Sequence, residues 1–87
     1  MTRYMVIEHF RDGTPDRVYD RFHARGRMLP PGLVYIDSWL SAAGDTCWQI
    51  METDDPANFD SWTAAWQDLT AFDIIELTDK PQRDPRP

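Results

Sequence analysis

A single cysteine, Cys47, stands in the 87 residues. It has no partner for an internal disulfide, and cysteine-built zinc sites are excluded with it. Long apolar runs are missing too; Met5-Val6-Ile7 is typical of what there is, and a membrane-crossing helix needs about 20 such residues. No basic start leads into an apolar stretch, so a secretory signal is not expected and the cytoplasm is the expected compartment. There is no glycine-rich phosphate loop, no Ser-His-Asp order and no redox cysteine pair. Lysine is almost absent, since eight of the nine bases are Arg, and twelve of the fifteen acids are Asp. That skew reads as lineage or codon bias, not as chemistry.

Aromatic residues, by contrast, make up 13% of the chain, with four Trp, four Phe and three Tyr, and 41% is hydrophobic, a composition that excludes a disordered chain. The length allows one small domain. A net charge of −6 gives little general attraction for phosphate backbones, so nucleic acid is not an expected partner, and without a long apolar run neither is a membrane. The charge is uneven. Residues 1–29 carry six Arg against four acids, while residues 30–87 carry three bases against eleven acids. The plain interpretation is a solvated surface of mixed sign; the functional one is a weak anion site or a charge-complementary subunit contact.

Residues 3–9 are rich in β-branched and aromatic types and read as a first strand, apolar on both alternating sets. Thr14-Pro15 opens a helix with a hydroxyl cap and a proline at its first position, Asp16 suits its first turn, and Val18, Tyr19, Phe22 and Gly26 recur at helical spacing. Gly26 and then Pro30-Pro31-Gly32 stop it. Leu33–Leu40 and Thr46–Thr53 read as two strands of a hairpin around Ala43-Gly44-Asp45, with its register open between a two-residue and a three-residue turn. Asp55-Pro56 opens a second helix with Phe59, Trp62, Trp66 and Leu69 in one stripe, and 72–78 reads as a last strand. Residues 1–78 thus form a single domain, and 79–87 a polar, proline-rich tail.

The order β-α-β-β-α-β predicts an α+β, ferredoxin-like fold: an antiparallel sheet of strand order 4-1-3-2 with both helices on one face. Two helices cover one sheet face only. The strands nonetheless pair apolar residues on both sides: Tyr4 and Val6 against Met5 and Ile7, Val34 and Ile36 against Tyr35 and Trp39, Trp48 and Ile50 against Cys47 and Met51. A bare apolar face of that extent is unusual on a monomer, so a second copy is expected to cover it, sheet to sheet, as a two-fold homodimer.

The segments Met5-Val6-Ile7-Glu8-His9-Phe10, Arg25-Gly26-Arg27-Met28-Leu29-Pro30, Tyr35-Ile36-Asp37-Ser38-Trp39 and Cys47-Trp48-Gln49-Ile50-Met51-Glu52-Thr53-Asp54-Asp55-Pro56, with Trp62 and Trp66, carry a resemblance. Together they resemble an uncharacterised bacterial domain-of-unknown-function family, numbered three-three-zero-three, of the dimeric α+β-barrel superfamily. The resemblance spans roughly residues 4–78 and is most specific at Gly-Arg-Met-Leu-Pro and Asp-Ser-Trp. It implies a ferredoxin-like dimer, a dimeric α+β barrel, and no assigned activity. The wider superfamily includes cofactor-free monooxygenases, haem degraders, isomerases and stress-responsive proteins. Haem degraders of this fold place a histidine on the side of the second helix, whereas His9 and His23 both lie in the first third of this chain, against haem chemistry.

Glu8, Asp37 and Glu52 each interrupt an otherwise apolar strand. In a low-dielectric cleft such a carboxylate becomes a general acid or base, with Arg27 as a counter-ion; at a strand end it is merely solvated. His9 is a further proton-handling candidate or an ordinary strand-end residue. No ligand spacing supports a metal site, and no cofactor is expected. Trp39, Trp48, Trp62 and Trp66 either line a pocket for a flat ligand or simply fill core and interface, with Gln49 a partner for buried indole N–H groups. Arg17, Arg21 and Arg25, interleaved with Asp16 and Asp20, read as a solvated helix face, and Cys47 as a small buried hydrophobe.

Two functions follow. In the first, a dimeric domain binds a small aromatic or hydrophobic molecule, in one form as a cofactor-independent enzyme of the monooxygenase or isomerase type. Its proton handlers are Glu8, His9, Asp37 or Glu52, and its ligand contacts Arg27, Trp39, Gln49, Trp62 and Trp66. The alternative is a non-catalytic structural or stress-associated dimer module in which the same aromatics only build core and interface.

Overall fold

The computed structural model describes residues 1–78; the tail at 79–87 lies outside the described residues. The elements run β1 (Thr2–Phe10), α1 (Asp16–Arg25), β2 (Val34–Leu40), β3 (Thr46–Thr53), α2 (Asn58–Ala64) and β4 (Thr70–Glu76). The four strands form one sheet of order β2-β3-β1-β4, the expected 4-1-3-2 read from the other edge, and every neighbouring pair is antiparallel. This is the ferredoxin-like arrangement of a small α+β domain.

Local chemistry places most boundaries. The Thr14 hydroxyl accepts the Asp16 N–H at 3.4 Å where α1 begins, and Gly26, at φ 70°, ends it by returning its N–H to the Phe22 carbonyl at 2.7 Å. Asp55 starts the turn into α2 by accepting the Ala57 N–H at 3.0 Å on its side chain. The helix itself is shorter than its stripe: Phe59 and Trp62 lie on α2, while Trp66 and Leu69 follow in turns, yet all four are buried. The β2–β3 connection is longer than either turn expected for it. Ser41 and Thr46 close it by a backbone bond of 2.8 Å, and the Ser41 hydroxyl accepts the N–H groups of Asp45 and Thr46. β4 begins two residues earlier than its apolar run, because Thr70 already pairs with Phe10.

Paired residues of an antiparallel sheet share a face, so the register sorts the side chains. One face carries Tyr4, Val6, Glu8 and Phe10 of β1 with Cys47, Gln49, Met51 and Thr53 of β3. Both helices pack here: the core joins Tyr4, Val6 and Met51 to Phe59, Trp62 and Trp66, with Val18 and Phe22 of α1 against it. The other face carries Met5, Ile7, Trp48, Ile50 and Ile75, with no element of the described chain over it.

β2 departs from simple alternation. Tyr35 pairs with Met51 but Asp37 with Ile50, so Ile36 is an extra residue and the strand is bulged there. The bulge flips the phase. Tyr35 and Trp39, expected on one side, lie on opposite sides: Tyr35 shares the helix-covered face with Met51, and Trp39 shares the open face with Trp48.

Candidate functional site

The alternation that buries Tyr4 and Val6 also buries Glu8, which is only 7% exposed. Its pair partner on β3 is Cys47, and Gln49 lies one alternation along on the same face. The Gln49 amide donates to Glu8 Oε1 in a tight hydrogen bond. Across β3, Ser38 and Leu40 of β2 extend this face. A polar layer therefore interrupts the apolar core, and it shares a cleft with Val18, Tyr19 and Phe22 of α1, a helix with no fully buried residue.

The space left is a cleft of about 330 Å³, at the small end of the range for small-molecule sites. Glu8, Cys47 and Gln49 form its polar side. Phe10, Val18, Phe22, Trp62 and Trp66 are among its apolar walls, and Arg27 also lines it. Burial pushes the Glu8 carboxyl up to about 7, against the pull of the Gln49 amide, the Cys47 thiol and the Arg27 charge. Burial, together with the Glu8 charge, pushes the Cys47 thiol up to about 12, which keeps it protonated and removes it as a nucleophile. The arrangement thus has a carboxyl able to give or take a proton near neutrality, inside an aromatic cleft.

The loop after α1 is fixed by that same aromatic wall. Trp62 and Trp66 both donate their indole N–H to the Arg27 carbonyl, at 3.0 and 3.1 Å. The Arg27 guanidinium lies 3.5 Å from the Tyr35 ring centre and 5.1 Å from that of Phe22. A second tie joins α1 to the turn after α2. Arg21 meets the Asp68 carboxylate with two bonds of 2.7 Å, and this bonding holds the Asp68 carboxyl down at about 2.

Of the residues singled out from the sequence, Glu8, Arg27, Gln49, Trp62 and Trp66 meet in this cleft. His9, Asp37, Glu52 and Trp39 do not; their pairing puts them on the open face. His9 pairs there with Asp73 at 2.9 Å, and Glu52 with Arg3 at 2.8 Å. Strand parity separates His9 and Glu52 from Glu8, and the bulge at Ile36 turns Asp37 away. Phe10, Tyr19, Phe22, Ser38, Leu40 and Cys47 also line the cleft and were not singled out as site residues. Phe10 shares its parity with Glu8 and was findable; Cys47 needed the β1–β3 register. Among the described residues, no three His, Cys, Asp or Glu side chains gather to hold a metal ion.

Fold and cleft together define a small ferredoxin-like α+β domain with a ligand-sized space between helices and sheet. The chain belongs to the family described as Domain of unknown function (DUF3303), whose family model matches residues 2–80. Comparison with the curated proteins and with the solved structures gives no match. Among the described residues, no helix is long and apolar enough to cross a membrane.

Proposed function

We propose that this chain is a dimeric, cytoplasmic small-molecule-binding protein that needs no cofactor, with its ligand seated in the cleft and Glu8 exchanging a proton with it. The observation that carries this reading is the burial of Glu8 beside aromatic walls with a neutral amide, not a cation, as its hydrogen-bond partner. A carboxyl placed only for stability would be paired with a cation or left in water. Its titration near neutrality suits taking a proton from an enol, phenol or carbon acid and returning it, the chemistry of cofactor-independent oxygenases and isomerases.

The dimeric α+β barrel is part of the same reading. The open face presents Val34, Trp39, Trp48 and Ile75, each more than a third exposed. Of the polar groups around it, Arg3 is paired with Glu52 and His9 is hydrogen-bonded to Asp73, while Asp37 has no cationic partner among the described residues. An exposed apolar patch of this kind suits a two-fold contact with a second copy.

A thermal-shift screen of the full chain against flat aromatic metabolites tests the binding role. A true ligand at about ten times its Kd is expected to raise the midpoint by about 5 °C or more in wild type, and Glu8→Gln is expected to reduce that rise. No shift across a broad panel would leave the alternative, a non-catalytic structural or stress-associated dimer module.

A further inference from the structure

Arg27 is held more firmly than a solvated surface arginine needs. Its carbonyl accepts both indole N–H groups of the cleft wall, and its guanidinium packs on Tyr35 and Phe22. The next residue, Met28, has φ 57°, the only non-glycine residue of positive φ in the described chain. Such a backbone conformation is costly and persists only where the surroundings impose it. Yet among the described residues no carboxylate lies within 4 Å of Arg27, and its guanidinium makes no hydrogen bond. Arg3, Arg17 and Arg21 each have an acidic partner. A guanidinium carries five N–H donors in a planar fork that matches a carboxylate. Here that fork is preorganised, half-buried at the cleft and unspent.

We propose that Arg27 is the anion-binding group of the cleft and that its ligand is a flat, apolar carboxylic acid. The carboxylate pairs with the guanidinium while the ring system lies among Phe22, Trp62 and Trp66. This rests on the reading of the cleft as a ligand site and adds the ligand's charge and class. One arginine, with no second cation among the described residues lining the cleft, matches a monoanion. The nearby Glu8 and the net charge of −6 disfavour a dianion such as a phosphate monoester. The largely apolar walls then require that the rest of the molecule be hydrophobic.

Isothermal titration of the full chain with 2-naphthoate and with 2-naphthamide, its uncharged counterpart of the same shape, separates the two layers of the reading. In wild type, 2-naphthoate is expected to bind about tenfold or more tightly than the amide. Arg27→Met, which keeps an apolar stem against Tyr35, is expected to abolish that preference, and Arg27→Lys to retain part of it. Equal or tighter binding of the amide by wild type overturns the inference and leaves the cleft as a ligand site. A preference that persists in Arg27→Met also overturns it. Failure of both compounds to bind wild type at millimolar concentration removes both readings.

Discussion

Glu8 has the environment of a core residue and the chemistry of an acid. Its carboxyl titrates at about 7 in the folded chain against an ordinary value of 4.5, so ionisation opposes folding. The stabilising contribution of the neutral form is complete below about pH 4.5 and is lost as pH rises through about 7. It amounts to about 3 kcal/mol in all. Among the described residues, the other ionisable groups lining its cleft are Cys47 of β3, which keeps its proton throughout, Tyr19 of α1 and Arg27 of the connecting loop. Denaturant unfolding at pH 5 and pH 8 is expected to show wild type losing stability over that interval. Glu8→Gln should lose much less, and it should exceed wild type at pH 8. The same slope in both proteins would mean that Glu8 is solvated.

Elements rather than single residues decide what the cleft looks like. β1 contributes by parity, α1 by packing loosely, and α2 by carrying Trp62 and then releasing the chain into turns that still bury Trp66. At the junction into β4, Thr70 is fully buried, and its hydroxyl is the one buried side-chain polar atom of the described residues with no partner. An unsatisfied hydroxyl costs more than the bond it would make gains. Thr70→Val keeps the β-branched shape at a strand position and is expected to stabilise the protein by about 1 kcal/mol, read as an upward shift of the thermal midpoint. A destabilised variant would show that the hydroxyl is hydrogen-bonded in solution.

For the whole molecule, the decisive feature is a sheet with one face under two helices and the other left bare by the described residues. Trp39 and Trp48 face each other across β2 and β3 on the bare side, 55% and 37% exposed. If two copies meet there, light scattering gives a mass about twice the 10.2 kDa of the chain. Trp39→Lys combined with Trp48→Lys should return it to the monomer mass, with the fold kept because neither ring belongs to the core. A wild-type monomer at micromolar concentration would refute the sheet-to-sheet dimer.

Much of this was legible from the order of residues alone. Apolar strand runs, cap-then-proline helix starts and the Phe59-to-Leu69 stripe are local signals, and they are enough for the element order and hence for the topology. The candidate site was legible only in composition. Glu8, Arg27, Gln49, Trp62 and Trp66 stood out as residue types in unusual places, but so did His9, Asp37, Glu52 and Trp39. What separated the two sets was pairing. A strand's side chains have a period of two, so a shift of one residue exchanges the faces. The β1–β3 register brought Cys47 and Gln49 to Glu8, and the bulge at Ile36 sent Asp37 and Trp39 to the other side. The scarcity of cysteine and of apolar runs, and the wealth of aromatic residues, determined what kind of domain this is. Which of its polar residues share a cleft was decided by long-range hydrogen-bond pairing, whose register local sequence does not encode.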